Sequence, residues 1–120
     1  MSDLDPELFE LFREESQERL ANVVQLISRL RKDDSPSECV AEIDRELHTI
    51  KGSVKMVGLP KLGTFVHEVE SLTQAIYKNS EVDQNRVDLL EECCDVVAYY
   101  VDLVTDIDDA DRSDGLLRAI

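Results

Sequence analysis

His48, Lys51, Gly52, His67 and Glu70 are the residues whose types and spacing could do chemistry. An imidazole is a nucleophile when one ring nitrogen keeps a free lone pair, and a carboxylate held against the other nitrogen fixes that tautomer. His48 and Lys51 are three residues apart, Gly52 is four from His48, and His67 and Glu70 are three apart. On helices these spacings put each group on one face. Gly58-Leu59-Pro60 lies between the two groups and reads as a tight turn. Lys51 and His48 stand seven and ten residues before Gly58, and His67 and Glu70 stand seven and ten residues after Pro60. Two antiparallel helices joined at that turn set the pairs at matching heights and bring Glu70 beside His48. Glu70 then orients His48 as the nucleophile, Lys51 brings positive charge beside it, and His67 supports the network. Gly52 costs its helix roughly 0.5–1 kcal/mol relative to alanine. Its missing side chain, one turn from His48, leaves the imidazole open to a large partner.

The helices that must carry these residues are legible as apolar stripes at three- and four-residue steps. The first covers 6–31, with Phe9, Phe12, Ser16, Leu20, Val23, Ile27 and Leu30 on one face, Asp5 as cap and Pro6 in the first turn. The second covers 36–57 and buries Val40, Ile43, Leu47, Ile50, Val54 and Val57; Ser35-Pro36-Ser37-Glu38 has the pattern of a capping box. The third, 60–78, turns Leu62, Phe65, Val66, Val69, Leu72 and Ile76 inward. The fourth, 83–107, does the same with Val87, Leu90, Cys94, Val97, Val101 and Val104. Four amphipathic helices with short connections predict an all-α antiparallel four-helix bundle over 1–107. Residues 108–120 read as an acidic linker and the start of a short fifth helix or a frayed end.

The chain has 120 residues and a net charge of −14. That length suits one domain, and the charge argues against nucleic acid or anionic membrane surfaces as partners. There is no apolar run long enough to span a membrane, and the acidic N-terminus lacks the basic start of a signal peptide. Three cysteines, Cys39, Cys93 and Cys94, cannot all pair in one chain and lack zinc-site spacing, which fits reduced thiols in the cytoplasm. Against this acidic background, residues 45–61 hold four basic side chains, Arg45, Lys51, Lys55 and Lys61, and one acidic one, Glu46. A local positive patch suits a transferred phosphoryl group and an acidic site on a partner. No Gly-rich phosphate loop or Walker pattern is present, so this stretch is not a complete kinase.

His48-Thr49-Ile50-Lys51-Gly52-Ser53, with Gly58 ten residues after the histidine, resembles the signature of histidine phosphotransfer (HPt) domains. Leu62, His67 and Glu70, together with the opening stretch 12–20, resemble more closely the N-terminal phosphoacceptor domain of CheA-type chemotaxis histidine kinases. The resemblance spans roughly residues 8–105. It implies that His48 is phosphorylated by an ATP-bound histidine kinase domain, in cis or in trans, and passes the group to an aspartate of a response-regulator receiver. It also implies a hydrogen-bonded cluster of His48, Lys51, His67 and Glu70. No cofactor is expected in this chain; ATP and Mg2+ would be bound by the kinase domain. The chain is expected to be a monomer as an isolated domain and the N-terminal piece of a longer kinase, with a free-standing phosphotransfer protein as the alternative. The family has small residues where Val54 and Lys55 stand, and larger side chains there narrow the set of kinases and receivers that can dock. Two other readings compete. A metal site of His48, His67 and Glu70 is opposed by the nearby Lys51 charge. A helical interaction module without phosphoryl chemistry predicts that no kinase labels His48.

Overall fold

The chain's three prolines each open a helix in the computed structural model, which describes residues 6–103: α1 is Pro6–Arg31, α2 Pro36–Met56 and α3 Pro60–Gln74. Proline fits a first helical turn because its missing N–H would have no partner there. α4, Gln84–Leu103, starts on Asp83, whose Oδ1 accepts the backbone N–H groups of Asn85 and Arg86 at 3.1 and 3.2 Å. α1 packs against α2 and α4, and α3 closes the ring against the same two. The described residues therefore form the expected antiparallel four-helix bundle. The cap assigned to Asp5, the end of the fourth helix and the fifth-helix segment lie outside them.

Every predicted stripe position of α1 is buried, Ser16 included. In α2, Cys39 takes the enclosed place and Val40 is only partly covered. Phe65 and Leu72 of α3 are likewise half-buried at the core edge, while Leu62, Val66 and Val69 are enclosed. Val87, Leu90, Cys94, Val97 and Val101 fill the α4 side; Val104 lies outside the described residues. Each fully buried Leu or Ile contributes about 1.5–3 kcal/mol, so the stripes hold the helices in the register that the site requires. Among the described residues no helix is long and apolar enough to cross a membrane.

Two local expectations are corrected. The third helix stops at Gln74 rather than reaching Lys78, and a small antiparallel hairpin follows, β1 Tyr77–Lys78 and β2 Glu81–Val82. Asn79 and Ser80 between them both have positive φ, 54° and 65°. That is the geometry that twists a two-residue turn to match its strands. The backbone N–H of Asp83 then bonds to Ile76 O at 2.8 Å and closes the loop over the buried Ile76. The capping box at the start of α2 does not form. Ser35 is left-handed (φ 48°, ψ 55°) and makes no side-chain cap; its hydroxyl donates to Asp34 instead. A capping side chain needs an extended backbone at the cap residue, and the tight turn from α1 denies it.

Candidate functional site

The α2–α3 turn decides which side chains can meet. Val57 ends α2, Gly58 takes φ 93°, and two bonds close the end: Gly58 N–H to Lys55 O at 3.2 Å and Leu59 N–H to Val54 O at 3.1 Å. These are the paired bonds of a Schellman motif, and the buried Leu59 and Val54 supply its apolar contact. Pro60 then starts α3 at once. The turn is thus as short as the sequence suggested, and the two helices run back along each other without slippage.

The register that follows brings the predicted residues together. His48 Nδ1 lies 3.3 Å from Glu70 Oε2, and Lys51 Nζ lies 3.4 Å from His67 Nδ1. Lys51 Nζ also stands 2.8 Å from Glu70 Oε1, and His67 Nδ1 lies 3.7 Å from the same oxygen. Oε1 is buried without a well-aligned hydrogen bond and is met by the Lys51 ammonium as an ion pair. Both histidine side chains are open to solvent, His48 at 71%, whereas those of Lys51 and Glu70 are enclosed at 16% and 9%. Glu70 is therefore a buried carboxylate, although its neighbours in the cluster that carry the imidazoles are exposed. It follows Val69 on the rim of the buried stripe, with the Lys51 ammonium 2.8 Å from Oε1 and His48 Nδ1 3.3 Å from Oε2.

The electrostatics fix the protons. Burial pushes the Glu70 carboxyl upward, but the Lys51 ammonium and the His48 contact outweigh it and hold the group below its ordinary value. Glu70 is then ionised and can only accept. A hydrogen bond between it and His48 Nδ1 requires the proton on Nδ1, which leaves the lone pair on Nε2. Lys51 can only donate, so His67 Nδ1 accepts from it and the neutral ring of His67 carries its proton on Nε2. Of the two exposed histidines, His48 alone in this arrangement offers a free lone pair on the outward nitrogen.

Gly52 sits on the exposed side of α2, and a methyl group added to it would meet nothing within 4 Å. Its packing inside the bundle does not demand glycine. Gly63, which the sequence reading passed over, is different: a Cβ there would stand 2.8 Å from Lys55 Cγ and 3.1 Å from Cε. The Lys55 stem lies across α3 in the gap that Gly63 leaves. A glycine inside a helix with no turn to make was the available signal. Among the described residues no group of three His, Cys, Asp or Glu side chains is arranged to hold a metal ion. Lys51 occupies the space between His67 and Glu70 where such an ion would sit.

Residues 7–112 match the Hpt domain family. The gliding motility regulatory protein of Myxococcus xanthus is 29% identical over 95 residues, 79% of this chain and 12% of that protein. The chemotaxis protein CheA of Borreliella burgdorferi is 34% identical over 92 residues, 76% of this chain and 11% of that protein. CheA of Bacillus subtilis is 30% identical over 104 residues, 86% of this chain and 16% of that protein. The chain thus spans between 11 and 16% of the length of these relatives.

Proposed function

The chain belongs to the Hpt domain family, and from that premise we propose that His48 relays a phosphoryl group within a two-component signalling system. The donor is ATP held with Mg2+ on a histidine kinase domain, in cis or in trans, and the acceptor is an aspartate of a response-regulator receiver. Kinships with CheA proteins and with a gliding motility regulator support a role in motility or chemotaxis signalling. The observation that carries the proposal is the His48–Glu70 pair: an exposed imidazole whose inward nitrogen faces a buried, ionised carboxylate.

The chemistry follows from that pair. The Nε2 lone pair of His48 attacks the γ-phosphorus, the bond to the ADP oxygen breaks, and ADP leaves with its electrons. The ring gains positive character, which the Glu70 carboxylate at Nδ1–H offsets. In the second step the receiver aspartate attacks phosphorus, the N–P bond breaks, and Nε2 recovers its lone pair. Phosphoryl transfer depends chiefly on positioning and electrostatics, and the cluster supplies both. Lys51, fixed between Glu70 and His67, places positive charge beside the path, and Gly52 keeps the approach clear.

The test is labelling by γ-labelled ATP with a CheA-type catalytic domain. Label should appear only when that domain is present, survive base and be lost in acid as a phosphoramidate. His48→Gln should abolish it while circular dichroism stays helical. A chain that the kinase never labels would be an interaction module instead.

A further inference from the structure

A receiver's phosphoacceptor site is acidic, and a chain of net charge −14 repels it over most of its surface. The stretch 45–61 is the exception, yet its four cations are not equivalent. The Lys51 charge is committed to Glu70 at 2.8 Å. Arg45 shares its groove with Arg19, Glu42 and Glu46, and Lys61 is not without a partner of its own. Lys55 is exposed and has no ion-pair partner among the described residues. It lies seven residues after His48, two helical turns and about 10 Å along the same stripe of α2, a rise on the scale of one Debye length.

Its placement is built in. The stem of Lys55 crosses α3 over Gly63, where a Cβ would collide with Cγ at 2.8 Å. A lysine buries its methylenes on such a surface and keeps the ammonium in water. Gly63 lies within α3 and is not among the residues of positive φ, so no turn requires a glycine there. The gap it leaves restricts where the ammonium can be, and a restricted charge loses less entropy on docking than a free one.

We propose that Lys55, seated over Gly63, is a specificity-determining residue that docks the acidic face of a receiver domain beside His48. This rests on the phosphotransfer reading above. Lys55 touches neither the phosphoryl group nor His48; it acts on encounter and orientation.

The experiment is transfer from the phosphorylated chain to receivers. The chain is loaded by a CheA-type catalytic domain, or by phosphoramidate for any variant which that kinase serves poorly. A panel of isolated receiver domains is screened, and the one that drains the label fastest is used for kinetics. Lys55→Glu should raise KM on the order of tenfold at low salt, with kcat kept and the difference shrinking as salt is added. Lys32→Glu, the same charge change in the α1–α2 loop, should leave KM unaltered. Gly63→Ala should raise KM in the Lys55 chain but not in a Lys55→Ala background, and thermal melts check that each variant is folded. Equal KM values for all chains, or a fall in kcat with KM unmoved, would overturn the docking role. A Gly63→Ala effect that persists without Lys55 would overturn the seating. If the chain is labelled and no receiver takes the label, the phosphotransfer reading fails and this proposal falls with it; an unaltered KM with efficient transfer sinks this proposal alone.

Discussion

Glu70 governs the reactive cluster because it is the one buried carboxylate among the described residues, and its removal should act on rate and stability together. Glu70→Ala frees Nδ1 of His48 and strands the Lys51 ammonium. Phosphorylation by a CheA-type kinase domain should slow about 10²–10⁴-fold, the scale of a positioned acid–base partner. Stability should drop by roughly 1–3 kcal/mol for the unpaired, enclosed charge, a larger loss than a surface carboxylate would give. An unchanged rate with an unchanged imidazole tautomer would refute this mechanism even with His48 as acceptor. The protons are separately testable: nitrogen NMR should find His48 as the Nδ1–H form and the neutral ring of His67 as the Nε2–H form, and identical tautomers in the two rings would contradict the cluster. The pH dependence has a definite sign. The folded Glu70 carboxyl lies below its ordinary 4.5, so its contribution is complete above that value and is lost as pH falls through the lower native one. Between about pH 5 and pH 3 the native chain should therefore lose more stability than Glu70→Gln, read from denaturant midpoints.

At the scale of elements, the two glycines inside helices test what each helix gives up for its surroundings. Gly52 meets nothing where a Cβ would be, so Gly52→Ala should stabilise the bundle by about 0.5–1 kcal/mol. The same methyl stands one turn from His48 on the docking side, and transfer to and from partner proteins should slow. A destabilised variant, or one with full transfer rates, would remove the case for Gly52 as an access residue. The helix stripes and the α2–α3 register were legible in the sequence because periodicity and a Gly-Leu-Pro turn are local signals. The heights counted from Gly58 and Pro60 matched His48 to Glu70 and Lys51 to His67 as found. Three features were not legible. The burial of Glu70 depends on how closely α3 packs against α2, which no periodicity reports. The hairpin after α3 depends on Asn79 and Ser80 accepting positive φ, a choice that an apolar stripe running on to Ile76 conceals. The failed capping box at Ser35 shows residue pattern losing to loop geometry, since the left-handed backbone points its hydroxyl away from α2.

For the whole molecule the dominant fact is charge: −14 on a chain whose described core has a radius of gyration of 14.7 Å. Salt acts on it in two opposed ways. It weakens the cross-helix pairs, Arg19 with Glu46 at 2.7 Å and Arg31 with Asp88 and Glu91 at 2.6 and 2.8 Å. All of those groups but Glu46 are substantially exposed, so the pairs are worth only about 0.2–1 kcal/mol each. Salt also screens the repulsion among the excess carboxylates, which the compact state concentrates more than the expanded one does. Treated as a charged sphere in water, the folded chain carries several kcal/mol more repulsion than the unfolded chain at low salt, and a Debye length cut from about 30 to 8 Å removes a few kcal/mol of that difference. Relief of repulsion therefore exceeds the loss of ion pairs. The melting temperature should rise by several degrees between 10 mM and 150 mM sodium chloride at neutral pH, since about 1 kcal/mol moves a domain of this size by roughly 4–8 °C. The Lys55→Glu variant, two charges more negative, should start lower and gain more from salt. A midpoint that falls with added salt would mean that the cross-helix pairs, not the net charge, set the electrostatic stability of the bundle.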